Sequence, residues 1–312
     1  MSETVGGAVT SVSDDPATET VAFVGLGNMG APMSRRLIDA GHRVIGFDMS
    51  DTAVERFADV GGVAAASAES AAAEADITIL MLPSSDVVEA VLAGGLAAAL
   101  RPGAVVVDMS SSEPMRTRAL AHRLGDERGV KLIDAPVSGG VRGAVNGTLT
   151  VMVGGSDAAV GRTLPILEVL GRPTRVGEVG AGHALKALNN LLSATHLLVT
   201  SEAILAGQAF GLDADVMLSV INGSSGRSGS TENKWPNFIL PQTYDSGFAL
   251  SLMLKDMRIA TDLARQLGLP SRLGEDAVSR WSEAAEVLAP AADHTEIARW
   301  VASIATPPGE IV

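Results

Sequence analysis

The chain has 312 residues, 46% of them hydrophobic but only 3% aromatic, with a formal net charge of -13 and no cysteine. That length exceeds one ordinary core and suits two domains packed mostly from Ala, Val, Leu, Ile and Met. The negative field repels nucleic-acid phosphates and anionic lipid, and the missing thiols exclude disulfides and thiolate metal sites, which fits a reducing, cytoplasmic setting.

Residues 1–19 are rich in Ser, Thr, Asp and Glu and have neither the basic start nor the apolar run of a secretory signal, so they read as a flexible tail. From 20 to 182 short apolar runs alternate with helix-like stretches. The strands predicted are 21–24, 44–47, 77–82, 105–107, 132–133 and 149–153. Their apolar residues are nearly continuous, as in strands covered on both faces, so the sheet should be parallel and doubly wound.

Gly25-Leu26-Gly27-Asn28-Met29-Gly30 lies between the first strand and a predicted helix over 31–40. The first glycine permits a tight turn, the second lets backbone approach a pyrophosphate, and the third lets strand and helix pack closely. Unpaired N–H groups at the helix start then face the phosphates. Asp48 ends the second strand about 20 residues on, where such a Rossmann-type site places an acid on the adenosine ribose. Its charge repels a 2'-phosphate, and Met49, Ser50 and Asp51 supply no arginine to reverse this, so NAD is expected rather than NADP. Asp48 has a second reading as the cap of the next helix.

Beyond 182 the strand pattern stops. Residues 183–210 are apolar on nearly every side, predicting a buried helix of roughly 40 Å that connects the domains and packs against a second subunit. Further helices are predicted over 214–221, 250–266 and 275–289, with a long polar loop over 222–247. The expected architecture is a Rossmann-type α/β domain over 20–182 followed by an all-helical domain over 183–312. No stretch offers about 18 consecutive apolar residues, so no membrane span is expected.

Asp134-Ala135-Pro136-Val137-Ser138-Gly139-Gly140, continuing to Gly147-Thr148-Leu149-Thr150, resembles the substrate motif of the β-hydroxyacid dehydrogenases. That family includes 3-hydroxyisobutyrate dehydrogenases and tartronate semialdehyde reductases, and the resemblance runs from Val21 to about Leu263. It implies that Ser138, Gly139 and Gly140 hold a substrate carboxylate; a hydroxyl followed by glycine N–H groups can form an anion-binding concavity. The segment from Gly180 to Asn190 resembles the family's catalytic helix. By that likeness Lys186 is the acid/base group and Asn190, at i+4 on the same face, contacts substrate. A helix N-terminus and burial both disfavour an ammonium, which suits proton transfer. The resemblance also implies that Leu82, Pro83 and Ser111 line the nicotinamide half. Serine stands at 111 where the family commonly has threonine, and keeps the hydroxyl.

Lys255, in the pair Lys255-Asp256, would by the same likeness reach back to the cofactor; its plainer reading is a helix-surface ion pair. The function expected is an NAD-dependent oxidoreductase interconverting the hydroxyl of a short 3-hydroxy acid and its semialdehyde, as a homodimer or homotetramer and without a metal. The alternatives are an imine or semialdehyde reductase of the same fold and a non-catalytic NAD-binding regulator. Arg227, Lys234 and Trp235 are the candidates for substrate specificity, and His183 is at most a neighbour of the site.

Overall fold

The apolar runs of the N-terminal half collect into one nine-stranded sheet. The computed structural model describes residues 19–269 and 271–304; most of the expected tail lies outside them. The strands are β1 (Thr20–Val24), β2 (Arg43–Phe47), β3 (Val63–Ala64), β4 (Ile77–Leu80), β5 (Val105–Asp108), β6 (Lys131–Asp134), β7 (Val137–Ser138), β8 (Leu149–Gly154) and β9 (Gly171–Gly177). Their order is β3-β2-β1-β4-β5-β6-β8-β7, with β9 beside β8.

Strands β1 to β6 pair in parallel, and alternate residues feed two cores on opposite faces. Phe23, Ile79 and Val107 join Leu37 and Leu167 on one side. Val24, Leu80 and Val106 join Leu120 and Leu124 on the other. Continuous apolar strands follow from that double coverage.

The sheet is not wholly parallel, however: β8 runs antiparallel to β6 and β7. Strands β3, β7 and β9 went unpredicted for identifiable reasons. Two of them are only two residues long, and β9 is a half-exposed edge carrying two arginines and a proline, residues that protect edges and hide strand character. The predicted strand 77–82 stops at Leu80, because Met81 and Leu82 turn away to face the glycine-rich loop.

The C-terminal half is helical. Its spine is the 30-residue helix Ala181–Phe210, which packs along Leu250–Gln266 and Ile297–Ile304. Met253, Met257, Trp281, Ile297 and Trp300 form its core. The region 222–247 is not all loop, since Ser230–Ile239 forms a π-helical segment that buries Trp235 and Ile239. Ser228 and Thr231 cap its start reciprocally, each side chain accepting the other's backbone N–H. Helix Arg272–Val287 starts earlier than predicted, and Ile297–Ile304 was not predicted. Among the described residues no helix is long and apolar enough to cross a membrane.

Candidate active site

The glycine-rich loop is built by close backbone approach. Gly25 turns at φ +100°, and a Cβ there would lie 2.2 Å from the Met81 carbonyl oxygen. A Cβ on Gly30 would lie 1.8 Å from the Gly25 oxygen, whereas nothing stands within 4 Å of the Cβ position of Gly27. The loop is thus sealed on its inner side and open at Gly27. Helix Gly30–Asp39 begins at Met29 with no side-chain cap and no acid in its first turn; Ala31 donates its N–H back to the Gly27 carbonyl at 2.9 Å and Pro32 has none to give, so the N–H groups free for a ligand are those of Asn28, Met29 and Gly30. This cradle fits a dinucleotide pyrophosphate.

Asp48 closes the same loop. Its Oδ2 accepts the Leu26 N–H at 2.7 Å and its Oδ1 the Ser50 N–H at 2.8 Å. Ser50, not Asp48, caps the following helix Asp51–Asp59. The carboxylate is held at the lip of the loop with about two of its four lone-pair positions unused, enough to accept a pair of ribose hydroxyls.

On the other side, Leu82 donates its N–H to Ser110 Oγ at 2.9 Å, while Asp108 accepts the Ser110 N–H and the Ser112 hydroxyl. Lys255, from helix Leu250–Gln266, donates to the carbonyls of Pro83 and Ser111 at 3.0 and 2.7 Å. It also lies 3.6 Å from Asp256 Oδ1. Lys255 thus ties the loops of Pro83 and Ser111 to the helical half, and the acid beside it is buried rather than part of a helix-surface ion pair.

Lys186 stands in the second turn of the long helix and is only 9% exposed. Burial pushes its ammonium below the usual lysine range and Lys255 adds to that, while the Asp256 charge opposes it. Its Nζ lies 5.9 Å from the centre of the Phe248 ring. Asn190 donates to Asp256 Oδ2 at 2.7 Å and accepts from Asn189. The other Asp256 oxygen is buried and has no hydrogen-bond partner. Lys186, Asn190, Lys255, Asp256 and Phe248 form one polar cluster with an aromatic neighbour.

Asp256 and Phe248 join this cluster without having been singled out from the sequence. The Lys255-Asp256 pair was visible but only its lysine was assigned a task, and nothing marks Phe248.

Ser138 and Gly139 form the turn at the end of β7, Gly139 at φ +129° and Gly140 opening helix Gly140–Asn146. Ser138 pairs with Thr150 on β8. Two residues further along β8, the Met152 carbonyl oxygen packs so closely on Gly182 that a Cβ there would lie 2.2 Å away. The turn and the start of the lysine helix therefore share one strand. The three specificity candidates fare differently. Arg227 pairs with Glu232 at 2.7 Å. Trp235 lines a separate cavity of about 510 Å³ with Leu205, Tyr244 and Arg299. Lys234 packs over Phe238, with Nζ 5.6 Å from the ring centre.

Residues 20–188 match the family described as "NAD binding domain of 6-phosphogluconate dehydrogenase", and residues 180–301 that described as "NAD-binding of NADP-dependent 3-hydroxyisobutyrate dehydrogenase". The chain belongs to the β-hydroxyacid dehydrogenase family. It is 38% identical over 253 residues to 2-(hydroxymethyl)glutarate dehydrogenase of Eubacterium barkeri, covering 80% of this chain and 84% of that one. With the NAD-dependent L-serine dehydrogenase of Pseudomonas aeruginosa it shares 39% over 268 residues, 83% and 90% of the two chains. The solved 3-hydroxyisobutyrate dehydrogenase of Mycobacterium tuberculosis with L-serine superposes at a TM-score of 0.86, with 35% identity over 91% of this chain and 99% of that one. Imine reductases at 18% and 22% identity share the fold alone. This member of the β-hydroxyacid dehydrogenases is accordingly an NAD-binding oxidoreductase acting on a CH–OH group, with a Rossmann domain followed by a helical one.

Proposed function

We propose that this β-hydroxyacid dehydrogenase oxidises the hydroxyl of a short 3-hydroxy acid to the semialdehyde, or runs the reverse reduction, with Lys186 moving the proton. The observation that carries this reading is the placement of Lys186: a nearly buried amine, its charged form disfavoured, beside Asn190, Asp256 and Phe248. A neutral amine can take the hydroxyl proton, and the same group as ammonium returns it to the carbonyl oxygen in reverse. Asp256 keeps Asn190 oriented, leaving the second amide hydrogen of Asn190 for a substrate oxygen. Ser138, Gly139 and Gly140 offer a hydroxyl and N–H groups to the carboxylate.

Bound NAD supplies the hydride acceptor. Gly25, Leu26, Gly27, Asn28, Met29 and Gly30 hold its pyrophosphate, Asp48 its ribose, and Leu82, Pro83 and Ser111 its nicotinamide end, with Lys255 bracing those loops. The substrate class is supported by what three relatives are named for: 3-hydroxyisobutyrate, L-serine and 2-(hydroxymethyl)glutarate all carry a carboxylate with a hydroxyl on the β-carbon.

The test is a panel of those three acids with glycerate and threonate, followed by absorbance of the reduced cofactor. Turnover of at least one is expected; turnover of none, in enzyme that binds NAD, overturns the substrate class. On this reading residues 20–182 are the NAD-binding domain and 183–312 the helical one, with the lysine helix almost wholly in the second and the oligomer contacts expected there. A homodimer or a tetramer of dimers in the cytoplasm completes the reading.

A further inference from the structure

Asp134 ends β6 just before the Ala135–Gly140 stretch, and its side chain is 0% exposed. A buried carboxylate is costly unless its lone pairs are filled. Two backbone donors satisfy one position on each oxygen here: the Gly180 N–H reaches Oδ1 at 2.6 Å and the His183 N–H reaches Oδ2 at 2.8 Å. They are the N-cap, Gly180, which has no side chain to offer, and the third residue of the long helix. The helix is capped from another element, and a carboxylate meets the positive end of its dipole.

The surroundings are shaped to admit this group. A Cβ on Gly154 would lie 2.4 Å from Asp134 Oδ1, and one on Gly182 would lie 2.9 Å from Oδ2. Behind it the His183 ring lies 3.9 Å from Asp134 Oδ2 and 3.8 Å from Asp108 Oδ2, with Nδ1 held 2.9 Å from Thr117 Oγ1. Burial pushes the Asp134 carboxyl above the usual range, and His183 and the N–H bonds oppose that rise. Asp108 is the residue that orders Ser110 and, through it, Leu82. One buried cluster thus meets the strand leading to Ser138, the loop of Leu82 and the first turn of the lysine helix.

We propose that Asp134 is a positioning residue: it fixes the first turn of the long helix against β6 and β8, and so sets where Lys186 stands relative to a substrate held at Ser138–Gly140. With no exposed surface it touches neither substrate nor cofactor, and its effect passes through Lys186. The inference rests on the proton-transfer role proposed for that lysine.

Asp134→Asn tests it, because the amide keeps the shape but turns one acceptor into a donor that faces an N–H. Misplacement of a reacting group by about 1 Å costs on the order of 100-fold, so kcat per folded site should fall about 10- to 100-fold. KM for the hydroxy acid and Kd for NAD should change less than about twofold. On a Lys186→Ala background the same substitution should do little more, since the group it displaces is gone. A purely structural role would lower the amount of folded enzyme and leave this split and this non-additivity absent.

Near-normal turnover in Lys186→Ala alone overturns the lysine reading and this inference together. A slow Lys186→Ala enzyme overturns the inference alone if Asp134→Asn keeps its kcat or loses it in full on both backgrounds. Should Asp134→Asn not fold, Thr117→Val frees the His183 ring behind the carboxylate without touching either N–H bond. A kcat loss of about three- to tenfold with unchanged NAD affinity is then expected, and an unchanged kcat overturns the inference.

Discussion

At the scale of single residues, the proposed chemistry rests on Lys186 and Asp48. Replacing Lys186 with Ala should cut turnover by about 10²- to 10⁴-fold, on the order of 3 to 5 kcal/mol of barrier, while NAD affinity measured by titration stays nearly constant. Arg at that position should not restore the rate, because guanidinium stays charged.

The pH dependence carries a sign. If Lys186 moves the proton as proposed, oxidation needs the neutral amine, so its rate should rise with pH through a limb below the ordinary lysine range, in keeping with burial lowering that group. Reduction needs the ammonium and should fall through the same limb. A limb that survives in Lys186→Ala would belong to another group.

At Asp48, a change to Ser with Met49→Arg should move preference toward NADP. Asp48 also holds the Leu26 N–H, so both cofactors should weaken and the ratio of their Kd values is the informative quantity. An unchanged ratio would place selectivity elsewhere.

At the scale of elements, the strand, glycine turn and helix that make the cofactor cradle make two neighbouring glycines behave oppositely. Gly27 faces open space, so Gly27→Ala should leave stability within about 0.5 kcal/mol yet weaken NAD by roughly tenfold, about 1.4 kcal/mol, because the methyl enters the cradle. Gly30 packs on the Gly25 carbonyl, so Gly30→Ala should lower the denaturation midpoint itself. Equal effects of the two changes on stability would contradict this account.

Local motifs are also what the sequence makes legible. Gly25 to Gly30 and Asp48 can be read because spacing around one strand and one helix carries their meaning, whereas Lys186 and Lys255 are singled out only because the segments around them resemble those of the family. Asp256 acts by pairing with Asn190 across 66 positions. Phe248 is placed by Asp293, which accepts its N–H across 45 positions; neither contact has a local pattern. Trp235 and Arg227 look exposed in a polar stretch, but the Ser228–Thr231 cap turns that stretch into a helix that buries one and pairs the other.

At the scale of the whole molecule, the long helix leaves part of its apolar surface uncovered. Leu185, Leu188, Leu192 and Val199 recur at helical spacing and are 41%, 40%, 59% and 53% exposed. The opposite flank, with Ala194, Leu197 and Ile204, is spent on the helical core. A contiguous stripe of this kind on one helix is what an interface between copies would cover, and around a two-fold axis the same stripe would meet its own copy. Leu192 is the most exposed of the four and lies at the middle of the run.

Leu192→Glu should therefore place two carboxylates opposite one another in an apolar setting, where like charges cost several kcal/mol. Light scattering should show the wild-type chain as a dimer or tetramer at micromolar concentration and the variant shifted toward monomer. Lys186 lies on the other side of the same helix, so NAD affinity should persist in the separated chains. A wild-type chain that scatters only as a monomer, or a variant that stays fully assembled, would remove this helix from the interface.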